Sequence, residues 1–173
     1  MPWTLDSPTF RAAEGVAKMA AWGFYPHVVL GLKPPRTKEV FPCAPDDPMY
    51  AHLLSYWRVL AKADADTAAV YNLPSQNLVA LTSSIPDIQG VVYKDGKGSY
   101  LIIVANLGPK PAAAELTLNK ALLGMDGQYQ VSAIDPATGR TYPYGDSSGT
   151  IVTPSLPQWG MEGFTLTPSR SSR

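Results

Sequence analysis

Ile88-Gln89-Gly90-Val91-Val92-Tyr93-Lys94-Asp95-Gly96-Lys97-Gly98-Ser99-Tyr100-Leu101-Ile102-Ile103-Val104-Ala105-Asn106 decides the fold. Two runs, 88–94 and 99–106, are rich in Val, Ile, Leu and Tyr and read as strands. Asp95-Gly96 between them signals a hairpin, with a longer loop through Gly98. Outward from this pair, residues 77–83, 113–118, 129–135, 140–144, 150–153 and 163–167 have the same character. Asp135-Pro136-Ala137-Thr138-Gly139 and the stretch 145–149 supply further turns. Eight short strands in succession predict an antiparallel β-sandwich or barrel.

Before Leu73 the pattern changes. Three glycines precede that residue and eleven follow it. Ser7-Pro8 is a helix start, with serine as cap and proline at the first helical position. Phe10, Ala13, Ala17, Ala20 and Phe24 then recur at helical spacing, and Gly23 is placed to end the helix. The run 24–31 reads as a short buried strand, with Pro26 near its start. A proline-rich loop covers 31–47. Asp47-Pro48 opens a second helix whose apolar stripe is Met49, Leu53, Leu54, Trp57, Leu60 and Ala61, ending near Asp64. The expected fold class is mixed: an α/β segment of two helices and one short strand over 1–72, then an antiparallel β-sandwich of about eight strands over 73–173. Two helices and one strand leave apolar faces and strand edges unpaired. The first segment must therefore lean on the sandwich, on a second copy through its helix faces, or on an upstream domain.

Composition narrows the function. The 173 residues are 45% hydrophobic and 16% charged, with 14 basic and 14 acidic residues and zero formal net charge. That balance argues against nucleic acid and against a basic membrane surface as partners. No apolar run is long enough for a membrane-spanning helix, and no signal peptide opens the chain. One cysteine, Cys43, excludes an internal disulfide, and two isolated histidines give no metal-ligand spacing. No phosphate-loop, dinucleotide, nucleophile-elbow or zincin motif occurs, so no cofactor is expected.

The junction carries a family resemblance. Asp47-Pro48-Met49-Tyr50 leads into Leu54-Ser55-Tyr56-Trp57-Arg58-Val59-Leu60. Val70-Tyr71-Asn72-Leu73-Pro74-Ser75 and Val91-Val92-Tyr93-Lys94-Asp95-Gly96 follow, then Tyr100-Leu101-Ile102-Ile103-Val104-Ala105-Asn106-Leu107-Gly108. The succession resembles the C-terminal end of a (β/α)8-barrel glycoside hydrolase running into its C-terminal β-sandwich. Gly127-Gln128-Tyr129-Gln130-Val131, the turn from Asp135 to Arg140, and Gly163-Phe164-Thr165-Leu166-Thr167-Pro168 resemble later strands of that sandwich.

The resemblance implies that the two helices are the last two of a barrel, that 24–31 is its eighth strand, and that 31–47 is a loop on the catalytic face. It implies a carbohydrate-active parent whose catalytic carboxylates lie on earlier strands outside this chain. No catalytic residue is therefore assigned, and the sandwich is expected to support the barrel. The alternative is a free-standing module that binds an oligo- or polysaccharide through exposed aromatics. Candidate sugar contacts are His27 at the head of its apolar run, Asp46 beside the cap Asp47, Trp159 in the loop before the last strand, and the Tyr142 and Tyr144 pair. Each has a plainer reading: a structural histidine, a solvated acid, or packed aromatics.

Overall fold

The computed structural model describes residues 12–24, 48–63 and 67–169. All but Phe24 of the expected strand at 24–31, the loop to 47, the helix start at Ser7-Pro8, Cys43, and the candidates His27 and Asp46 lie outside the described residues. Two helices, α1 (Ala12–Trp22) and α2 (Pro48–Leu60), precede β1 (Ala69–Tyr71), β2 (Leu81–Ser83), β3 (Ile88–Lys94), β4 (Tyr100–Asn106) and β5 (Glu115–Leu118). A one-turn helix α3 (Lys120–Leu123) leads to β6 (Tyr129–Ile134), β7 (Thr141–Ser147), β8 (Thr150–Val152) and β9 (Met161–Pro168). None of these helices is long and apolar enough to cross a membrane.

The strands form two antiparallel sheets, one ordered β1-β3-β4-β9-β6-β7 and one ordered β2-β5-β8. The expected β3–β4 hairpin is present, with a register from Ile88 opposite Asn106 to Lys94 opposite Tyr100. Its loop is tied by Asp95, whose Oδ1 accepts from the amides of Lys97 and Ser99, each at 2.8 Å. Gly98 takes φ +81°, which explains glycine there.

Strand β4 is buried along its whole length because the large sheet is covered on both faces. Side chains alternate across a strand. Tyr100, Ile102 and Val104 enter the sandwich core with Leu81, Leu116, Leu118 and Ile151 of the small sheet. Leu101 and Ile103 face the other way, into a second core with Val16, Ala20, Leu53, Tyr56 and Val59 of the helices. The molecule is therefore layered as helix pair, six-stranded sheet, three-stranded sheet. Helix α1 ends as expected at Gly23, φ +69°, where the Phe24 amide reaches back to the Met19 carbonyl at 2.9 Å. The Tyr56 hydroxyl donates to the Phe24 carbonyl at 3.0 Å and so fixes α2 to that terminus.

Two elements differ from expectation. Strand β1 pairs with β3, Val70 opposite Tyr93, although it precedes the compositional change at Leu73. Three residues are too few for period-two alternation to be visible. Conversely, only 81–83 of the expected 77–83 strand is paired; Leu78 and Val79 are exposed. Here β-propensity was overridden because Asn72, at φ 69°, accepts the Ala80 and Leu81 amides on its Oδ1 and donates to the Gly90 carbonyl.

Gly163 marks the closest approach of helix and sheet. A Cβ added there would lie 2.4 Å from Val59 Cγ1 and 3.0 Å from Ile134 Cδ1. Gly163→Ala is expected to cost about 1–3 kcal/mol by overpacking. In a Val59→Ala background the same substitution should cost less than half as much. Urea denaturation of the four proteins of this cycle measures the coupling. Equal costs in both backgrounds would mean that α2 does not rest on β9 in solution.

Candidate functional site

The aromatic candidates separate across the large sheet. Strand β6 pairs Ala133 with both Tyr142 of β7 and Phe164 of β9, so these side chains share the face turned to the small sheet. Tyr142 and Tyr144 are 43% and 36% exposed there. A register shift between Val131 and Ser132 leaves Tyr144 as the extra residue of a bulge. Its hydroxyl donates to the Val152 carbonyl at 2.8 Å, and its ring lies 5.2 Å from that of Phe164. Tyr144 thus bridges the two sheets at their open side.

Trp159 lies on the opposite face. It is half-buried at φ 60°, packed with Ala17 and Ala21 of α1 and Ala105 of β4. Lys18 Nζ sits 5.9 Å from its ring centroid. The sheet therefore brings Tyr142 and Tyr144 together and keeps Trp159 away from them.

A residue not singled out in the sequence joins the tyrosines. Glu162 of β9 stands opposite Val104 and on the same face as Phe164, and is only 8% exposed. Its Oε1 is buried and meets no hydrogen-bond partner among the described residues. Burial, with a lesser push from the Asp135 charge, raises its carboxyl to about 7, against a pull downward from the Gly163 amide. Burial and then the Glu162 charge raise both tyrosine hydroxyls in turn. Asp135 differs: the Thr138 hydroxyl and Ala137 amide hydrogen-bond its carboxylate and hold it below its usual value. One sequence signal was available. Glu162 occupies the same alternation as Phe164 and Leu166, a charged residue on an apolar parity.

The large cavity, about 670 Å³, lies elsewhere, where the end of α1 meets β2 and β3. Trp22, Phe24, Asn72, Pro74 and Ile88 line it, and Trp22 Nε1 donates to Gln89 Oε1 at 3.2 Å. Among the described residues its lining includes no carboxylate, histidine, cysteine, lysine or arginine, and its one hydroxyl, on Ser83, donates to the Ile85 carbonyl at 2.9 Å and has no base beside it in that lining. Among the described residues, no three His, Cys, Asp or Glu side chains gather as a metal site requires.

No protein-family model matches the chain, and no curated protein matches it. Among solved structures, the chain is similar to a GH27 β-L-arabinopyranosidase from Geobacillus stearothermophilus at 15% identity and a TM-score of 0.40. That match covers 51% of this chain and 19% of the enzyme. A variant of the same enzyme, in complex with arabinose, matches at 15% identity and a TM-score of 0.38, over 49% of this chain and 18% of its own. The chain thus spans under a fifth of the length of either structure.

Proposed function

We propose that this chain is the C-terminal portion of a carbohydrate-active, glycoside hydrolase-like protein, in which the β-sandwich seats and stabilises an upstream (β/α) domain. One observation carries the reading: the outer face of the large sheet is built to receive helices. Val91, Tyr93, Leu101, Ile103 and Ile134 present an apolar floor to α1 and α2, and Gly163 leaves room for Val59. Arg58 of α2 donates to the Ala137 carbonyl of the β6–β7 turn, which anchors the helix laterally. The order of motifs from Leu54-Ser55-Tyr56-Trp57 to Asn106 supports the same reading, since it resembles the junction between a barrel and its sandwich. On this view the catalytic carboxylates belong to the upstream domain.

Two measurements test the proposal. The 173-residue chain alone is expected to give no turnover of aryl glycosides above the blank. Turnover abolished by Asp46→Asn or Asp47→Asn would place the catalytic acids in this chain and overturn the reading. Determining the reading frame upstream of Met1 should reveal further residues with alternating β and α patterns; an in-frame stop codon directly upstream would count against it.

A further inference from the structure

We propose that Glu162, Tyr142 and Tyr144 form a binding site for a neutral sugar ring on the sandwich face of the large sheet. The site lies across that sheet from the helices, so it stands independently of the support role proposed above.

Three observations converge on it. The first is the cost of Glu162. A buried carboxyl oxygen without a partner destabilises a fold, and a sandwich with only structural duties would be better served by an apolar residue there. Buried groups held at such a cost mark sites. The second is the division of labour between the tyrosines. Tyr144 is fixed, its hydroxyl on Val152 and its ring on Phe164. The Tyr142 side chain is 43% exposed, has no hydrogen bond among the described residues and feels the Glu162 charge, so the proposal requires it to turn aside where a ligand reaches Oε1. The apolar face of a sugar ring would then stack on a tyrosine while a ring hydroxyl donates to the carboxyl.

The third observation concerns charge. With a carboxyl near 7, Glu162 carries its proton about half the time at neutral pH. Such a group both accepts from and donates to hydroxyls, and it is a weak trap for a cation, which requires the ionised form. Asp135, the other acid beside it, has both oxygens engaged by Ala137 and Thr138. The chemistry therefore fits a polyol better than an ammonium or guanidinium group.

Nitrogen–proton correlation spectra of the full chain, titrated at neutral pH, test the site. The probes are the methyl glycosides of glucose, galactose and xylose, with tetramethylammonium chloride as the cationic control. Saturable shifts are expected with at least one glycoside, confined to amides around Tyr142, Tyr144 and Glu162, with a Kd roughly millimolar. Tyr142→Ala and Glu162→Gln should each weaken that binding about tenfold, while the rest of the spectrum stays unchanged and so reports an intact fold. No saturable shift with any of the three glycosides overturns the proposal. So does binding undiminished in both variants, or saturation by tetramethylammonium in place of the sugars. None of these outcomes bears on the upstream-domain reading, which requires no ligand here.

Discussion

Asn106→Leu is expected to cost the fold about 3–5 kcal/mol, measured as the loss of unfolding free energy in urea. Asn106 ends β4 and has no exposed surface. Its amide nitrogen donates to the Lys110 carbonyl at 2.8 Å and the Leu156 carbonyl at 2.9 Å. Its side-chain oxygen accepts from the Gly108 amide at 2.9 Å. One side chain therefore satisfies three backbone groups in two loops that close the same end of the sandwich. Leucine shares the branching at Cγ but is larger and satisfies none of them, and each orphaned group costs about 1–3 kcal/mol before the loops relax. Asn106→Asp separates hydrogen bonding from shape. The aspartate keeps the bond from Gly108 but turns a second oxygen toward two carbonyls. Its cost should be large at pH 7 and smaller in acid, where a protonated carboxyl donates again. A loss below about 1 kcal/mol for Asn106→Leu would mean that water replaces these bonds.

The same residue shows where the sequence was legible. The run Leu101-Ile102-Ile103-Val104-Ala105-Asn106 identified a strand because its length and side chains leave few alternatives. That it is covered on both faces was not legible, since a continuous apolar run does not say which layer meets which parity. The helices supplied the second layer, and nothing local in α1 names β4 as its floor. Gly23 was readable as a helix stop because its φ requirement is local. Gly163 was not readable as a docking point, because its meaning lies in Val59, about a hundred residues away in the chain. Trp159, Tyr142 and Tyr144 could be named as aromatics in loop or edge positions. Only the sheet places the tryptophan on one face and the tyrosines on the other.

Glu162 yields the second large expectation, a fall in stability with rising pH. Its carboxyl binds a proton at about 7 in the folded protein, against 4.5 for an ordinary glutamate. Between those values the folded state holds a proton that the unfolded chain has already released. Raising the pH through this window therefore removes stability; below it both states are protonated and the group makes no difference. The size follows from the separation, about 2–4 kcal/mol lost between acid and mildly alkaline solution. Glu162→Gln removes the titration while keeping the shape. Its stability relative to the natural sequence should rise by that amount from pH 4 to pH 8, whatever constant cost the amide brings to both ends. Asp135 works in the opposite sense, being held low, and its own linkage is spent at more acid pH. A difference between the two proteins that stays flat across the window would show that Glu162 is ionised and solvated at neutral pH. Saturating sugar should also shift the window if the site is as proposed, because a hydroxyl donating to Oε1 favours the ionised carboxyl. The upper end of the fall would then move toward lower pH, and a displacement toward higher pH would count against the site. That displacement is measurable in Tyr144→Phe as well, where the bridge to Val152 is lost but the ring remains.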